Sequence, residues 1–219
     1  MRTTEREISI CHEIWHTYNP ERSAIWSEIC RSLQKYIPEN STVLDLGAGY
    51  GDFLQYIVAE KKYGLELNKI LIRYWPKDVK AIIQSALDPF PINDHIISVV
   101  FASNFFEHFL IEECRVILTE VFRVLKPGGV LIAIQPNIRL QPGRYYEDYT
   151  HKTPFTEVSF CDFLESLGWR ILKCESRFLP LTMKLRIPKW RWLVRLYLAL
   201  PFKPFAGQFL IVAERPSDA

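Results

Sequence analysis

The sequence predicts a single α/β domain in which helices cover both faces of a mostly parallel, seven-stranded sheet. Of its 219 residues, 48% are hydrophobic and 24% are charged, a composition typical of a folded globular domain and not of a disordered segment. From about residue 41, short β-rich runs alternate with helical runs, an order typical of a parallel sheet flanked by helices. A helical extension precedes this alternation, and a basic helical insertion interrupts it before the last strand.

The predicted strands are short apolar runs bounded by turn residues. They lie at residues 42–46, 63–67, 80–83, 96–102, 130–134, 169–174 and 208–213. The predicted helices repeat apolar side chains every three or four residues. They lie at residues 21–37, 52–59, 112–125 and 157–167. Pro127 cannot continue the third of these helices, and the two glycines after it supply a turn into the next strand.

Charge is distributed unevenly along the chain. Residues 177–219 carry eight Lys or Arg against two acidic residues, whereas residues 1–176 carry 19 basic against 23 acidic residues. The net charge of +2 excludes the strongly basic balance of a dedicated DNA-coating protein, so we expect no nucleic-acid partner. We predict one domain over residues 1–219. Its segments are an N-terminal helical cap (1–40), a cofactor-binding core (41–176), a basic lid-like insertion (177–206) and a last strand with its tail (207–219).

The cysteines and the N-terminal segment indicate the compartment. The five cysteines are widely spaced and include no Cys-x-x-Cys pair, so we expect free thiols and no metal site. The first residues lack the basic-then-apolar order of a secretory signal, and no apolar run reaches the roughly 18 residues of a membrane span. These features favour a cytoplasmic protein.

A glycine-rich turn after the first strand is the motif that carries chemistry. Residues 45–51 read Asp-Leu-Gly-Ala-Gly-Tyr-Gly, and Glu66 lies in the next strand. Glycines let the backbone approach a ligand closely, and a carboxylate after the second strand can accept both hydroxyls of a ribose. The pattern therefore predicts a nucleoside ligand. Its G-x-G-x-G spacing differs from the G-x-G-x-x-G pattern of dinucleotide sites, so a nicotinamide-dependent reductase is the weaker alternative.

With this motif, the chain resembles the class I S-adenosylmethionine-dependent methyltransferases, in the subgroup that includes the ubiquinone-biosynthesis methyltransferases. Further segments carry the resemblance over about residues 40–176. They are residues 63–66, 104–108 (Asn-Phe-Phe-Glu-His), 121–129 and 148–151 followed by 154–156. The resemblance implies a Rossmann-like fold, S-adenosyl-L-methionine as cofactor and methyl transfer as the activity.

The resemblance also implies a set of cofactor-binding residues. They are Asp45, Gly47, Ala48, Gly49, Gly51, Glu66, Leu67, Ser85, Ala86 and Asn104. In that arrangement Gly47 and Gly49 contact the amino-acid part of the cofactor, Asp45 lies near its ammonium group, and Glu66 binds the ribose. Ser85 stands where relatives commonly have an acidic residue that binds the adenine amine.

Two histidines are the predicted catalytic residues. His108 follows the fourth strand, and His151 lies in a segment that covers the acceptor pocket in relatives. Either imidazole could take a proton from an acceptor hydroxyl, and the alternative for both is a structural role in the loops. Tyr145, Tyr146 and Tyr149 lie beside His151 and are predicted to bind the acceptor, because their rings combine an apolar face with a polar tip.

Residues 189–200 predict an amphipathic helix with Arg191 and Arg195 one turn apart. Both arginines are predicted to bind an acceptor. A helix packed as a lid and peripheral membrane contact through residues 184–203 are both open interpretations. The predicted activity is methyl transfer to an oxygen of a small, glycan-linked or lipid-linked acceptor, with nitrogen and carbon less favoured. A non-catalytic S-adenosylmethionine-binding subunit is a further alternative.

Overall fold

The structure, a computed structural model, describes residues 22–180 and 190–217. Its strands are β1 (Thr42–Leu46), β2 (Lys61–Glu66), β3 (Val79–Ile83), β4 (Ile97–Ser103), β5 (Leu125–Pro136), β6 (Arg170–Pro180) and β7 (Ala206–Glu214). They form one sheet in the order β3-β2-β1-β4-β5-β7-β6. β1 to β5 pair in parallel, and β7 is antiparallel to both of its neighbours. The predicted seven-stranded, mostly parallel sheet is confirmed.

Within residues 22–180 and 190–217, five α-helices accompany the sheet. They are α1 (Arg22–Leu33), α2 (Asp52–Tyr56), α3 (Ile111–Val124), α4 (Glu157–Ser166) and α5 (Arg191–Ala199). The helix predicted over 52–59 is shorter in the structure, because α2 ends at Tyr56 and the backbone of Ile57 is already extended. The side-chain amide of Gln34 hydrogen-bonds both the N–H and the C=O of Val58. These hydrogen bonds hold Val58 in a non-helical conformation before β2 begins.

The side chains of successive strand residues point to opposite faces of the sheet, as the pleat of a strand requires. Leu44 and Leu46 of β1 belong to the core that includes α3 and α4, whereas Val43 belongs to the core that includes α1 and α2. Both faces are therefore covered by helices. This double burial explains why the strands read as near-continuous apolar runs.

The turn predicted between α3 and the fifth strand lies within β5, where this strand pairs with β4. Leu125 pairs with Ile97, and Val130 pairs with Val99, so residues 126–129 interrupt the β4–β5 register. Gly128 has a φ of +76° there. β5 consequently begins five residues earlier than the predicted strand 130–134.

A buried carboxylate joins α1 to the helix of the basic segment. The Glu28 side chain is 0% exposed and accepts hydrogen bonds from Arg31 at 2.8 Å, from Arg191 at 3.2 Å and from Arg195 at 3.0 and 3.1 Å. Lys203 pairs in the same way with Glu175. Arg191 and Arg195 of α5 thus share one carboxylate with Arg31, which holds α5 against α1 and offsets only part of their positive charge. Residues 184, 186 and 189 of the predicted basic insertion lie outside the described residues.

We expect the Glu28 cluster to stabilise the fold in a pH-dependent way. The hydrogen bond from Arg195, supported by those from Arg31 and Arg191, outweighs desolvation and lowers the pKa of Glu28 from 4.5 to about 2. A carboxyl whose pKa is lower in the folded state stabilises it above the unfolded pKa, and this contribution is lost as the pH falls from 4.5 towards 2. Glu28→Gln should lower the free energy of unfolding by about 1–3 kcal/mol at neutral pH.

Urea denaturation of the wild type and Glu28→Gln, at neutral pH and at about pH 3, checks this expectation. The difference between the two proteins should shrink at the acidic pH. Glu112→Gln is the matched control, because the Glu112 side chain is 79% exposed and an exposed pair contributes only about 0–1 kcal/mol. An equal loss of stability in both variants would contradict a role for the cluster.

Candidate active site at the carboxyl edge of the sheet

A glycine loop leaves the carboxyl end of β1. Gly47 and Gly51 have φ angles of +63° and +75°, a region that favours glycine. A Cβ on Gly47 would lie 2.6 Å from the Phe105 ring, and one on Gly51 would lie 2.5 Å from the indole of Trp75. The Trp75 indole N–H donates to the carbonyl of Gly49 at 2.7 Å. Two aromatic rings therefore pack against the loop backbone.

The carboxylate of Glu66, the last residue of β2, is hydrogen-bonded to the same loop. One oxygen accepts the backbone N–H of Gly49 at 2.9 Å, and the other accepts the N–H of Asn68 at 2.8 Å. The residue is only 4% exposed. Each carboxylate oxygen has a further lone pair for a hydroxyl donor, so this pair of acceptors fits a ribose.

Asp45 lies in β1 just before the glycine loop and is 3% exposed. Burial raises the pKa of Asp45 well above its usual range, and the neighbouring carboxylates of Glu66 and Asp52 raise it further. A positively charged ligand group beside Asp45 would lower that pKa again. The environment therefore fits an ammonium group such as that of an amino-acid ligand.

The other predicted cofactor residues follow the ends of β1 to β4. Ser85 accepts the N–H of Leu87 at 3.2 Å in the turn after β3. Asn104 follows β4 with a φ of +48°, and its side-chain oxygen accepts a hydrogen bond from Gln208 at 3.0 Å. Parallel pairing brings these strand ends side by side. Ala48, Leu67 and Ala86 lie at the same edge, and the contacts of the whole set with a cofactor stay a prediction.

The structure brings the two predicted catalytic histidines together around a glutamate. We call Glu107, His108 and His151 the His–Glu cluster. Oε1 of Glu107 lies 3.9 Å from Nε2 of His108 and 4.0 Å from Nε2 of His151. The two imidazole centroids are 5.1 Å apart.

Loop contacts hold the cluster in place. The backbone oxygen of Glu107 accepts the N–H groups of Lys152 and Thr153 at 2.7 and 3.2 Å. Nδ1 of His108 lies 2.9 Å from the Thr150 hydroxyl, whose proton is donated to Asp148. Nδ1 of His151 lies 2.7 Å from the backbone oxygen of Tyr145. The segment around His151 is thus fixed to the turn that carries His108.

Glu107 was not among the predicted site residues. It is 1% exposed, and neither carboxylate oxygen has a hydrogen-bond partner within residues 22–180 and 190–217. Burial raises the pKa of Glu107 well above its usual range, and burial lowers the pKa of His151. The one indication in the sequence was that Glu107 directly precedes His108. This adjacency does not show that the glutamate is buried.

The predicted acceptor residues differ in exposure. Tyr145 is 1% exposed and its hydroxyl donates to the carbonyl of Thr153, so it supports the loop. Tyr146 and Tyr149 are 57% and 70% exposed. Arg191 and Arg195 are held by Glu28, as described above. Contact of all five side chains with an acceptor stays a prediction.

Comparison with known proteins relates part of the chain to methyltransferases. Residues 44–133 match the family model of a methyltransferase domain. An uncharacterised methyltransferase of Schizosaccharomyces pombe is 34% identical over 110 residues, which cover 47% of this chain and 41% of that protein. A protein of Mycolicibacterium smegmatis named "probable S-adenosylmethionine-dependent methyltransferase" is 30% identical over 132 residues, which cover 57% and 49%. The chain therefore matches less than half the length of these two relatives.

Solved structures agree on the fold. A SAM-dependent methyltransferase from Archaeoglobus fulgidus superposes with a TM-score of 0.65 over 94% of this chain and 99% of that one, at 20% identity. A likeness at this identity concerns the fold alone. Residues 44–133 are therefore similar to a methyltransferase domain, and the sheet has the fold of a solved SAM-dependent methyltransferase.

Proposed function

We propose that the chain is a methyltransferase that transfers a methyl group from S-adenosyl-L-methionine to an oxygen atom of a small, glycan-linked or lipid-linked acceptor. The observation that carries the proposal is the contact between Glu66 and the glycine loop. Glu66 holds the N–H of Gly49 and keeps lone pairs for a ribose. A ligand with a ribose and an ammonium group would thus meet Glu66 and Asp45 at adjacent strand ends.

S-adenosylmethionine, when bound, supplies a methyl group that its positive sulfur already activates. The residues of the chain therefore have to bind and align the two reactants. Asp45 and the glycine loop would hold the amino-acid part, and Glu66 would hold the ribose. The His–Glu cluster lies after β4, whose end adjoins that of β1, and its imidazoles suit an acceptor hydroxyl that must lose a proton.

The class of acceptor is supported by exposed aromatic side chains in and beside α5. Trp190 and Trp192 are each 58% exposed and stack with centroids 6.0 Å apart. Phe202 and Phe205 are 64% and 75% exposed. Exposed rings of this kind favour an apolar partner, and a lipid-linked acceptor would provide one. Because Glu28 holds Arg191 and Arg195, we base this on the aromatic rings and not on charge.

Membrane contact through residues 184–203 and a cytoplasmic location both stay predictions. Among the described helices, none combines the length and the apolar character that crossing a bilayer requires.

Glu66→Ala tests the cofactor site. We expect it to weaken the binding of S-adenosylmethionine and of its demethylated product by about 1–3 kcal/mol, roughly 5- to 150-fold, because a hydrogen bond to a charged group is lost. Isothermal titration calorimetry with both ligands measures this. Glu120→Gln is the matched control, since Glu120 also accepts a backbone N–H, that of Phe90, but lies in α3. No heat with either ligand, or an unchanged affinity in Glu66→Ala, would contradict the proposal.

Turnover separates an enzyme from a non-catalytic binding subunit. Transfer of a labelled methyl group to any member of a panel of small, glycan-linked and lipid-linked hydroxyl compounds would support the enzyme. Binding of the cofactor with no transfer to amines, carbon acids or hydroxyl compounds would favour the subunit.

A further inference from the structure

The His–Glu cluster has the composition of a metal site. One potential ligand atom from each of its residues lies within 4.8 Å of the other two. Two imidazole nitrogens and one carboxylate oxygen are a donor set suited to divalent transition metals such as Zn²⁺, Fe²⁺ and Co²⁺. We propose that Glu107, His108 and His151 together bind one divalent transition-metal cation.

The unpartnered carboxylate of Glu107 is the first support. At 1% exposure it has lost water, and its two oxygens have no hydrogen-bond partner within the described parts of the chain. A buried charge is costly unless it is paired or coordinates a metal. The nearby imidazoles, at 3.9 and 4.0 Å, are too far from it for hydrogen bonds. A cation between the three groups would neutralise the carboxylate.

The three ligand atoms can reach coordination distance if their side chains rotate towards one another. Bonds from a zinc ion to nitrogen or oxygen of about 2.1 Å place tetrahedral ligand atoms roughly 3.4 Å apart. The distances of 3.9 and 4.0 Å from Glu107 to the two histidines exceed this by about half an ångström, and the widest separation in the cluster, up to 4.8 Å, exceeds it by up to about 1.4 Å. Rotation of the Glu107 and histidine side chains can supply that difference.

Hydrogen bonds to the other ring nitrogens orient both imidazoles. Nδ1 of His151 donates to the backbone oxygen of Tyr145, because a carbonyl only accepts. The Thr150 hydroxyl donates to Asp148, so it accepts from Nδ1 of His108. The proton of each ring is thus on Nδ1, and the lone pair is on Nε2, which faces Glu107. Metal-binding histidines are held in this way by carbonyl or carboxylate partners.

The site is built by the fold and not by a sequence motif, which is why the sequence predicted no metal. His151 follows His108 by 43 residues and is brought back by the hydrogen bonds of Lys152 and Thr153 to Glu107. The cluster follows β4, and Phe105 beside it packs against Gly47. A cation here would lie near the glycine loop. The inference goes beyond the proposed methyl transfer and does not depend on it.

Titration of chelator-treated protein with Co²⁺ alone tests the proposal. We expect one Co²⁺ per chain by calorimetry, with visible absorption bands typical of nitrogen and oxygen ligands. Glu107→Gln and His151→Asn should each weaken binding by at least about 10-fold, and Thr150→Val, which removes the hydroxyl beside Nδ1 of His108, by roughly 10-fold. Circular dichroism establishes that each variant is folded.

Two matched variants serve as controls and should bind Co²⁺ like the wild type. His95→Asn changes an exposed histidine and keeps a residue that tolerates its φ of +58°. Glu112→Gln changes an exposed glutamate. The proposal is overturned if the wild type shows no saturable binding, if Glu107→Gln binds as the controls do, or if the spectrum shows thiolate ligands. S-adenosylmethionine binding is measured separately, so each proposal can fail without the other.

Discussion

His108→Ala should lower kcat by roughly 10²- to 10⁴-fold and leave the affinity for S-adenosylmethionine almost unchanged, because help with an acceptor proton acts in the transition state. The His108 side chain is 33% exposed, whereas that of His151 is 10% exposed. His108 is therefore the more accessible imidazole of the two. Steady-state kinetics with the acceptor found by the methyl-transfer panel, together with calorimetry of the cofactor, measures both quantities.

Chelation separates the two ways in which His108 can act. If it is a metal ligand, chelator-treated wild type should fall towards the rate of His108→Ala and recover when Co²⁺ is added. If it takes the proton itself, chelation should leave the wild-type rate unchanged. His95→Asn is the matched control in both experiments. A loss of cofactor affinity equal to the loss of kcat would contradict either role and make His108 a residue that supports the loop.

The sheet was predictable from the sequence because burial of both faces produces local patterns. The run at 42–46 is β1 without a shift of either end. The antiparallel edge was harder, since β6 extends to Pro180, beyond the predicted 174. Its later residues pair irregularly with β7, and their register depends on a partner about 30 residues away that no local pattern specifies.

Only the glycine loop and its acidic residues could be predicted in the candidate site, because their spacing in the sequence indicates the backbone geometry. The positive φ angles of Gly47 and Gly51 follow from their residue type and position in the turn. The desolvated carboxylates of Glu28 and Glu107 could not be predicted, because each depends on residues far away in the chain. Glu28 meets Arg191 and Arg195 across more than 160 positions, and this contact holds the basic helix against α1 while both arginine side chains stay more than half exposed.

Gly51→Ala should lower the free energy of unfolding by roughly 2–5 kcal/mol, because a left-handed alanine costs about 1–2 kcal/mol and overpacking about 1–3 kcal/mol. The new Cβ would meet Trp75 at 2.5 Å. Displacement of that ring breaks its hydrogen bond to Gly49, and we therefore expect the affinity for S-adenosylmethionine to fall at least about 10-fold, which corresponds to about 1.4 kcal/mol. Urea denaturation and calorimetry measure the two effects.

Two other glycines separate the contributions to this loss. Gly168 has a φ of +85° with open space around its Cβ position, so Gly168→Ala reports the backbone cost alone, about 1–2 kcal/mol. Gly143 has open space and no positive φ, so Gly143→Ala should leave stability unchanged or raise it by up to about 1 kcal/mol. Neither control should change cofactor affinity. If Gly51→Ala loses no more stability than Gly168→Ala and binds the cofactor normally, the Trp75 ring can move without destabilising the fold. In that case Trp75 does not position the glycine loop.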